Sequence, residues 1–222
     1  MDRSFFQPPA LEVAPRLLGA RLTVRAEGVE GDAAAVTIRI TEVEAYHGVG
    51  VPGPYDAGSH SRDRRTERNA SMFGPPGHAY VYLSYGLHFA LNLVCSPAGT
   101  ASGVLIRSGE VIDGRGAAEL RRAPARGSAP VPAHRLARGP GNLARALGIT
   151  RETHDGRDLF DSPFHLHGAG PADLRSAIAS GPRVGVSGEA GGPAFPWRFW
   201  ISGDPTVSAF RRGRGAPRPP ER

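Results

Sequence analysis

Ala79-Tyr-Val-Tyr-Leu-Ser-Tyr-Gly-Leu-His-Phe-Ala-Leu-Asn-Leu-Val94, followed shortly by Gly103-Val-Leu-Ile-Arg107, decides the fold of this 222-residue chain. The aromatic and β-branched run from Ala79 to Leu83 predicts a strand, Ser84-Tyr85-Gly86 its turn, and His88 to Val94 the returning strand. Together they form a hairpin with an aromatic tip. Ser96 to Ser102 reads as another turn and Gly103–Arg107 as the next strand. Consecutive strands with short links imply an antiparallel sheet rather than a doubly wound parallel one. The expected class is therefore α+β: a single domain with a curved, mainly antiparallel β-sheet, short helices and a protruding β-hairpin.

Upstream of the hairpin, Val36 to Tyr46 alternates. Val36, Ile38 and Ile40 fall on one face, and a period of two puts Glu42, Glu44 and Tyr46 on that same face, so a core-facing row becomes carboxylate-bearing. Residues 47–78 form a glycine-, proline- and charge-rich connection longer than compact domains usually carry, which points to binding or to short helices. Leu11 to Thr23 reads as a short helix running into a strand, and Gly28 to Asp32 as a turn. A helix is expected near Ala117 to Arg122. Another spans Asn142 to Leu147, opened by Gly139-Pro-Gly141 and stopped by Gly148. Arg183-Val-Gly-Val186 and Arg198-Phe-Trp-Ile201 read as late strands, and the Arg-Gly-Pro tail from Arg211 as disordered. The domain then covers residues 1–210 and the tail 211–222.

Composition bounds the partners. A 40% hydrophobic chain of this length builds one ordinary core. It has no apolar run of about twenty residues and no signal-peptide pattern at Met1-Asp-Arg-Ser, so no membrane partner is expected and a cytoplasmic location is. The formal charge is +6, of which the five arginines and Glu221 of the tail supply +4. The informative feature is clustering. Arg62, Arg64, Arg65 and Arg68 share one loop as candidates for a nucleic-acid backbone, and Arg115, Arg121, Arg122, Arg126, Arg135 and Arg138 share another stretch. The chain has no lysine. Its lone Cys95, inside Leu91-Asn-Leu-Val-Cys95, reads as a buried thiol. The histidines lack metal-site spacing, and no Walker, zinc-hydrolase or deaminase motif occurs, so neither a metal nor an organic cofactor is expected.

Two carboxylates at the core-side end of one strand are costly unless they are paired, protonated or used. Ion pairs to Arg39 or Arg107 are the structural alternative to a catalytic Glu44, and Glu42 reads as a structural partner. Tyr46, Tyr80 and Tyr82 offer faces for a flat heterocycle, or else ordinary boundary packing. Tyr85 is either a turn aromatic or a wedge between base pairs. Stacking rings, a carboxylate and basic loops are the parts an enzyme needs to act on a flipped base.

Thr41-Glu-Val-Glu-Ala-Tyr46, Ser59-His-Ser-Arg62, Thr66-Glu-Arg-Asn69, Met72-Phe73, Pro76-Gly77, Tyr80-Val-Tyr82, Tyr85-Gly86, Asn92 and Gly103–Arg107 together resemble the alkyladenine (3-methyladenine) DNA glycosylase family. Weaker similarity runs through Gly139–Leu143, Arg183–Val186 and Arg198–Trp200, so it extends from about Leu11 to Phe210. The resemblance implies that Glu44 is the general base and that Tyr46, His60 and Tyr82 wall the base pocket. It implies that Asn92 discriminates among purines, Arg107 supports the site and Tyr85 intercalates. It also implies a monofunctional enzyme of base excision repair that hydrolyses the N-glycosidic bond of alkylated purines flipped from double-stranded DNA. Deaminated and etheno purines are further candidates. The enzyme would leave an abasic site and work as a monomer with no obligate protein partner. The Tyr46–His60 link is longer than the family's usual spacing, and His88 stands where another aromatic residue is familiar. A noncatalytic damaged-DNA-binding protein, and an enzyme acting on RNA or nucleotides, are the alternatives.

Overall fold

The computed structural model describes residues 1–26, 35–84, 86–123, 128–170 and 177–218. A short 3-10 turn precedes α1 (Ala10–Arg16), β1 (Arg21–Arg25) and the long β2 (Ala35–His47). The hairpin strands β3 (Ala79–Ser84) and β4 (His88–Val94) lead to β5 (Ser102–Asp113). There follow α2 (Arg115–Arg121), α3 (Pro140–Leu147), α4 (Arg151–His154), β6 (Phe164–His167), β7 (Ile178–Gly181) and β8 (Arg198–Ile201). The strands lie in the order β3-β4-β5-β2-β1-β6, with β8 pairing β2 and β7 pairing β8. Every pairing is antiparallel, and the α+β architecture with its curved sheet is as the strand pattern predicts.

The hairpin closes with Ser84 opposite His88, Gly86 at φ 70° and Leu87 N–H donating to the Ser84 carbonyl. Its tip exposes Leu83 and Leu87 to solvent. The intercalating role expected of Tyr85 falls outside the described residues, as does the turn expected at Gly28–Asp32. Helix α3 starts two residues earlier than expected, with Pro140 in its first turn where a missing N–H costs nothing, and stops at Gly148. It buries Leu143, Ala144, Ala146 and Leu147 in the core shared with Leu91, Leu93, Val104 and Ile106. Cys95 is buried in the same core.

The uniform alternation expected of β2 is corrected at Thr41. Ile40 faces Gly109 and Glu42 faces Ser108, so β2 spends one extra residue there, and β5 spends one at Arg107 before Val43 meets Ile106. Such a bulge resets the alternation. Ile38, Ile40, Val43 and Ala45 all enter the core. Arg39, Thr41 and Glu42 instead bond a strap of chain on the opposite side, through Asp204, Thr206 and Ser208 respectively. The carboxylates therefore sit across the sheet from the Val36–Ile40 row. The bulge is also where the β1 partner of β2 gives way to β8.

Two further expectations are corrected. Arg183–Val186 is a turn and not a strand, because its backbone faces outward partners: Val184 N–H donates to Glu44, and Gly185, at φ 72°, donates to the Arg211 carbonyl. Residues 211–218 are accordingly not a loose tail. They run back along that turn, with Gly188 N–H on the Arg214 carbonyl and Ala216 buried. The basic stretch after Arg115 is also largely spent on structure. Arg121, Arg122 and Arg138 donate to the carbonyls of Ala146, Leu136 and Val207, and Arg115 pairs with Glu119; Arg126 lies outside the described residues.

Candidate active site

The opposed bulges at Thr41 and Arg107 bring two carboxylates under one guanidinium. Arg107 gives Nε to Glu42 Oε1 at 3.1 Å and Nη1 to Glu44 Oε2 at 3.3 Å. Both carboxylates are fully buried, yet their surroundings differ. Glu42 also accepts from Arg198 Nε at 2.7 Å, Ser108 Oγ at 2.9 Å, and Ser208 N–H at 2.7 Å and Oγ at 2.9 Å. Burial alone would raise its carboxyl. The charges of Arg107 and Arg198 and the Ser208 bonds outweigh that and hold it below the usual carboxylate range. Every lone pair of Glu42 is committed, so it is a structural anchor.

Glu44 is held more sparely. Val184 N–H donates to Oε1 at 2.6 Å, and the Tyr46 hydroxyl donates to Oε2 at 2.8 Å. The expected ion pair to Arg107 is present, whereas Arg39 pairs with Glu110 and Asp204 instead. Tyr46 is half-buried, and its phenol is pushed well above its ordinary value, first by burial and then by the charge of Glu44. Tyr82 contributes to that upward push and is therefore near Tyr46.

Tyr82 and His60 form the second part of the site. Their rings meet edge to face at 4.5 Å, and Tyr80 stacks on Tyr82 at 5.5 Å. The His60 ring is held below 6.5 by partial burial and by the Arg68 and Arg62 charges, although its solvent exposure damps the shift. Asn92 is buried on β4, with Nδ2 on the Tyr80 carbonyl at 3.2 Å, so one edge of its amide is already committed. Glu44, Tyr46 and Arg107 thus share one bonded cluster and His60, Tyr82 and Arg68 adjoin it, with Asn92 behind the tyrosine row.

Beyond His60 lies a cavity of about 250 Å³ lined by His60, Arg62, Asp63, Arg64, Thr66, Arg68 and Asn69. Asn69 ties this loop together, taking the Thr66 N–H and donating to the His60 and Arg64 carbonyls. Arg62 pairs with Asp63. Arg68 lies 6.0 Å from the centroid of the Tyr82 ring. No group of three or more described His, Cys, Asp or Glu side chains is placed to hold a metal ion. No described helix is long and apolar enough to cross a membrane.

Sequence reasoning missed Arg183, Asp56, Arg198 and Ser208. Arg183 is fully buried, forked onto Asp56, and 4.5 Å from the Tyr46 ring. Its only sequence signal was an arginine opening the apolar stretch Arg183-Val-Gly-Val186.

Residues 4–205 match the family described as methylpurine-DNA glycosylase. A relative from Leifsonia xyli subsp. xyli, provisionally named a 3-methyladenine DNA glycosylase, is 50% identical over 210 residues, covering 95% of this chain and 92% of its own. Relatives with the same provisional name from Streptomyces avermitilis (46% over 214 residues; 95% and 92% coverage) and Nocardia farcinica (48% over 213; 95% and 90%) are similar along the same length.

Proposed function

The chain belongs to the methylpurine-DNA glycosylase family, and from that premise we propose that Glu44 is the general base of its reaction. The protein is a DNA glycosylase of base excision repair that acts on alkylated purine bases. The arrangement around Glu44 supports the assignment: a fully buried carboxylate, fixed by Val184 N–H, Tyr46 Oη and Arg107, adjoins an aromatic pocket wall. Glu42, with the same burial, has no capacity left for a water molecule.

In the reaction, a water oxygen bonds to C1′ of the flipped nucleotide as the C1′–N bond breaks. The bonding electron pair leaves with the purine and neutralises the positive ring that N3 or N7 alkylation creates. Glu44 accepts the water proton, and its charge also stabilises the oxocarbenium-like C1′ in the transition state. Arg107 orients Glu44 from one side and Tyr46 from the other. Tyr46, Tyr82 and His60 stack around the base, and Asn92 backs this wall. Tyr85, which follows Ser84 in the sequence, fills the space the nucleotide vacates. Arg62, Arg64, Arg65 and Arg68 hold flanking phosphates. The enzyme works as a monomer on cytoplasmic DNA, and its range extends to deaminated or etheno purines where the pocket supplies hydrogen bonds to a neutral leaving base.

The test is product analysis on a duplex with one 3-methyladenine. The expected products are free base and a full-length strand that breaks only on alkali treatment. A strand cleaved by the protein itself, or tight binding without base release, would contradict the proposal. The noncatalytic alternative has no observation in its favour.

A further inference from the structure

Within the long connection after β2, Asp56 meets the residues that support the site from within the core, and that contact carries an inference. Asp56 is buried, and its two oxygens take Arg183 Nη2 at 2.6 Å and Nη1 at 2.7 Å in a forked pair. The same guanidinium donates to the Ala45 and Ala190 carbonyls, each at 3.0 Å, so four bonds fix its plane. It lies 4.5 Å from the Tyr46 ring centroid and 5.0 Å from that of Trp197. Gly58 is what permits this approach: a Cβ there would stand 2.8 Å from Val186 Cγ1, 3.0 Å from Arg183 Nη2 and 3.1 Å from Asp56 Oδ1. The peptide immediately after Arg183 supplies the Val184 N–H that holds Glu44 Oε1 at 2.6 Å.

We propose that Arg183, clamped by Asp56, is a positioning residue for base excision, fixing the Tyr46 ring by stacking and Glu44 through the adjoining Val184 N–H. One immobilised guanidinium thereby sets both the wall against which the base lies and one oxygen of the carboxylate that directs water. Only arginine fits this post, because a planar fork can satisfy Asp56 and two carbonyls while its face covers an aromatic ring. Arg183 is too deeply buried to meet DNA, so its influence passes through Tyr46 and Glu44. The proposal rests on the reading of Glu44 as general base and Tyr46 as pocket wall.

The experiment compares Asp56→Asn, Arg183→Lys and Arg183→Gln with wild type and with Glu44→Gln. It measures thermal stability, affinity for a lesion duplex, and single-turnover base release at saturating enzyme. A misplacement of about 1 Å at a reacting group costs on the order of 10²-fold in rate. Asp56→Asn and Arg183→Lys are therefore expected to remain folded, bind the duplex within about threefold of wild type, and release base on the order of 10²-fold more slowly. Combining the two should cost little beyond either alone, since both break one clamp. Asp56→Asn is nearly isosteric and keeps the test open if the Arg183 variants unfold. Wild-type release from a folded variant, or rate and affinity falling together in step with stability, would overturn the positioning role. Undiminished release by Glu44→Gln would instead overturn the underlying reading, and the proposal with it.

Discussion

Glu42 and Glu44 stand two residues apart, equally buried and sharing Arg107, and the contrast between them is the chemistry of the site. Glu42 neutralises Arg107 and Arg198 together, so removing its charge leaves the buried Arg198 without its carboxylate and Arg107 with Glu44 alone. Breaking such a pair costs about 3–5 kcal/mol, and Glu42→Gln should lower stability by about that amount in urea titration while also slowing base release. Glu44→Gln should cost less stability than Glu42→Gln, because Arg107 keeps Glu42 as its counter-charge and the amide oxygen can still accept from Tyr46 Oη, although the amide NH2 then faces the Val184 N–H. That two carboxylates stand two residues apart in this strand was legible in the sequence through the motif Thr41–Tyr46. Their partners were not: Arg198 and Ser208 lie more than 150 residues away in the chain, and no local periodicity encodes that juxtaposition.

At the scale of elements, the strands that make the site were readable because hairpins announce themselves with short turns, whereas the bulges were not. Alternation in Val36–Tyr46 looks unbroken in sequence, and only pairing with β5 and the 204–208 strap reveals that Thr41 shifts it. Deleting Val43, beyond the bulge, would slip the rest of β2 by one residue and turn Glu44 toward the core, so the variant should fail to accumulate as folded protein. Loss of foldedness by circular dichroism checks this; a folded, active deletion would refute the register. The 62–68 loop makes a separate prediction. Replacing Arg64, Arg65 and Arg68 with Gln should flatten the dependence of log K on log salt by roughly 0.9 for each phosphate that an arginine no longer neutralises. Base release at saturating enzyme should hardly change. The turn at Arg183–Val186 has the sequence pattern of a strand because its valines are partly covered by their neighbours and not by a ladder.

For the whole molecule, the C-terminal segment is part of the fold. Residues 211–218 back the turn that presents Val184 to Glu44, so truncation after Phe210 should lower both stability and the release rate. A loose tail would alter only nonspecific binding. Acid should also act through the interior. His47 is buried against Trp197 at 5.0 Å, and among the described residues neither ring nitrogen has a partner. Burial, reinforced by Arg183 and opposed by Asp56, holds it below 6.5. The unfolded chain therefore binds the proton more readily, and the resulting stability, present above about 6.5, declines as pH falls through the range below it. Glu42 and Asp204, both lowered, add their loss only at lower pH. A His47→Phe variant should show a flatter melting temperature across that window.

The most direct test of the central claim is single-turnover base release from duplexes carrying one 3-methyladenine or one hypoxanthine, with EDTA present and Glu44→Gln beside the wild type. Release by wild type that falls by at least about 10²-fold in Glu44→Gln, with lesion-DNA affinity retained and the strand left uncleaved, is the expected result. Equal release by both proteins, or tight binding of both duplexes with no base released by wild type, would contradict it.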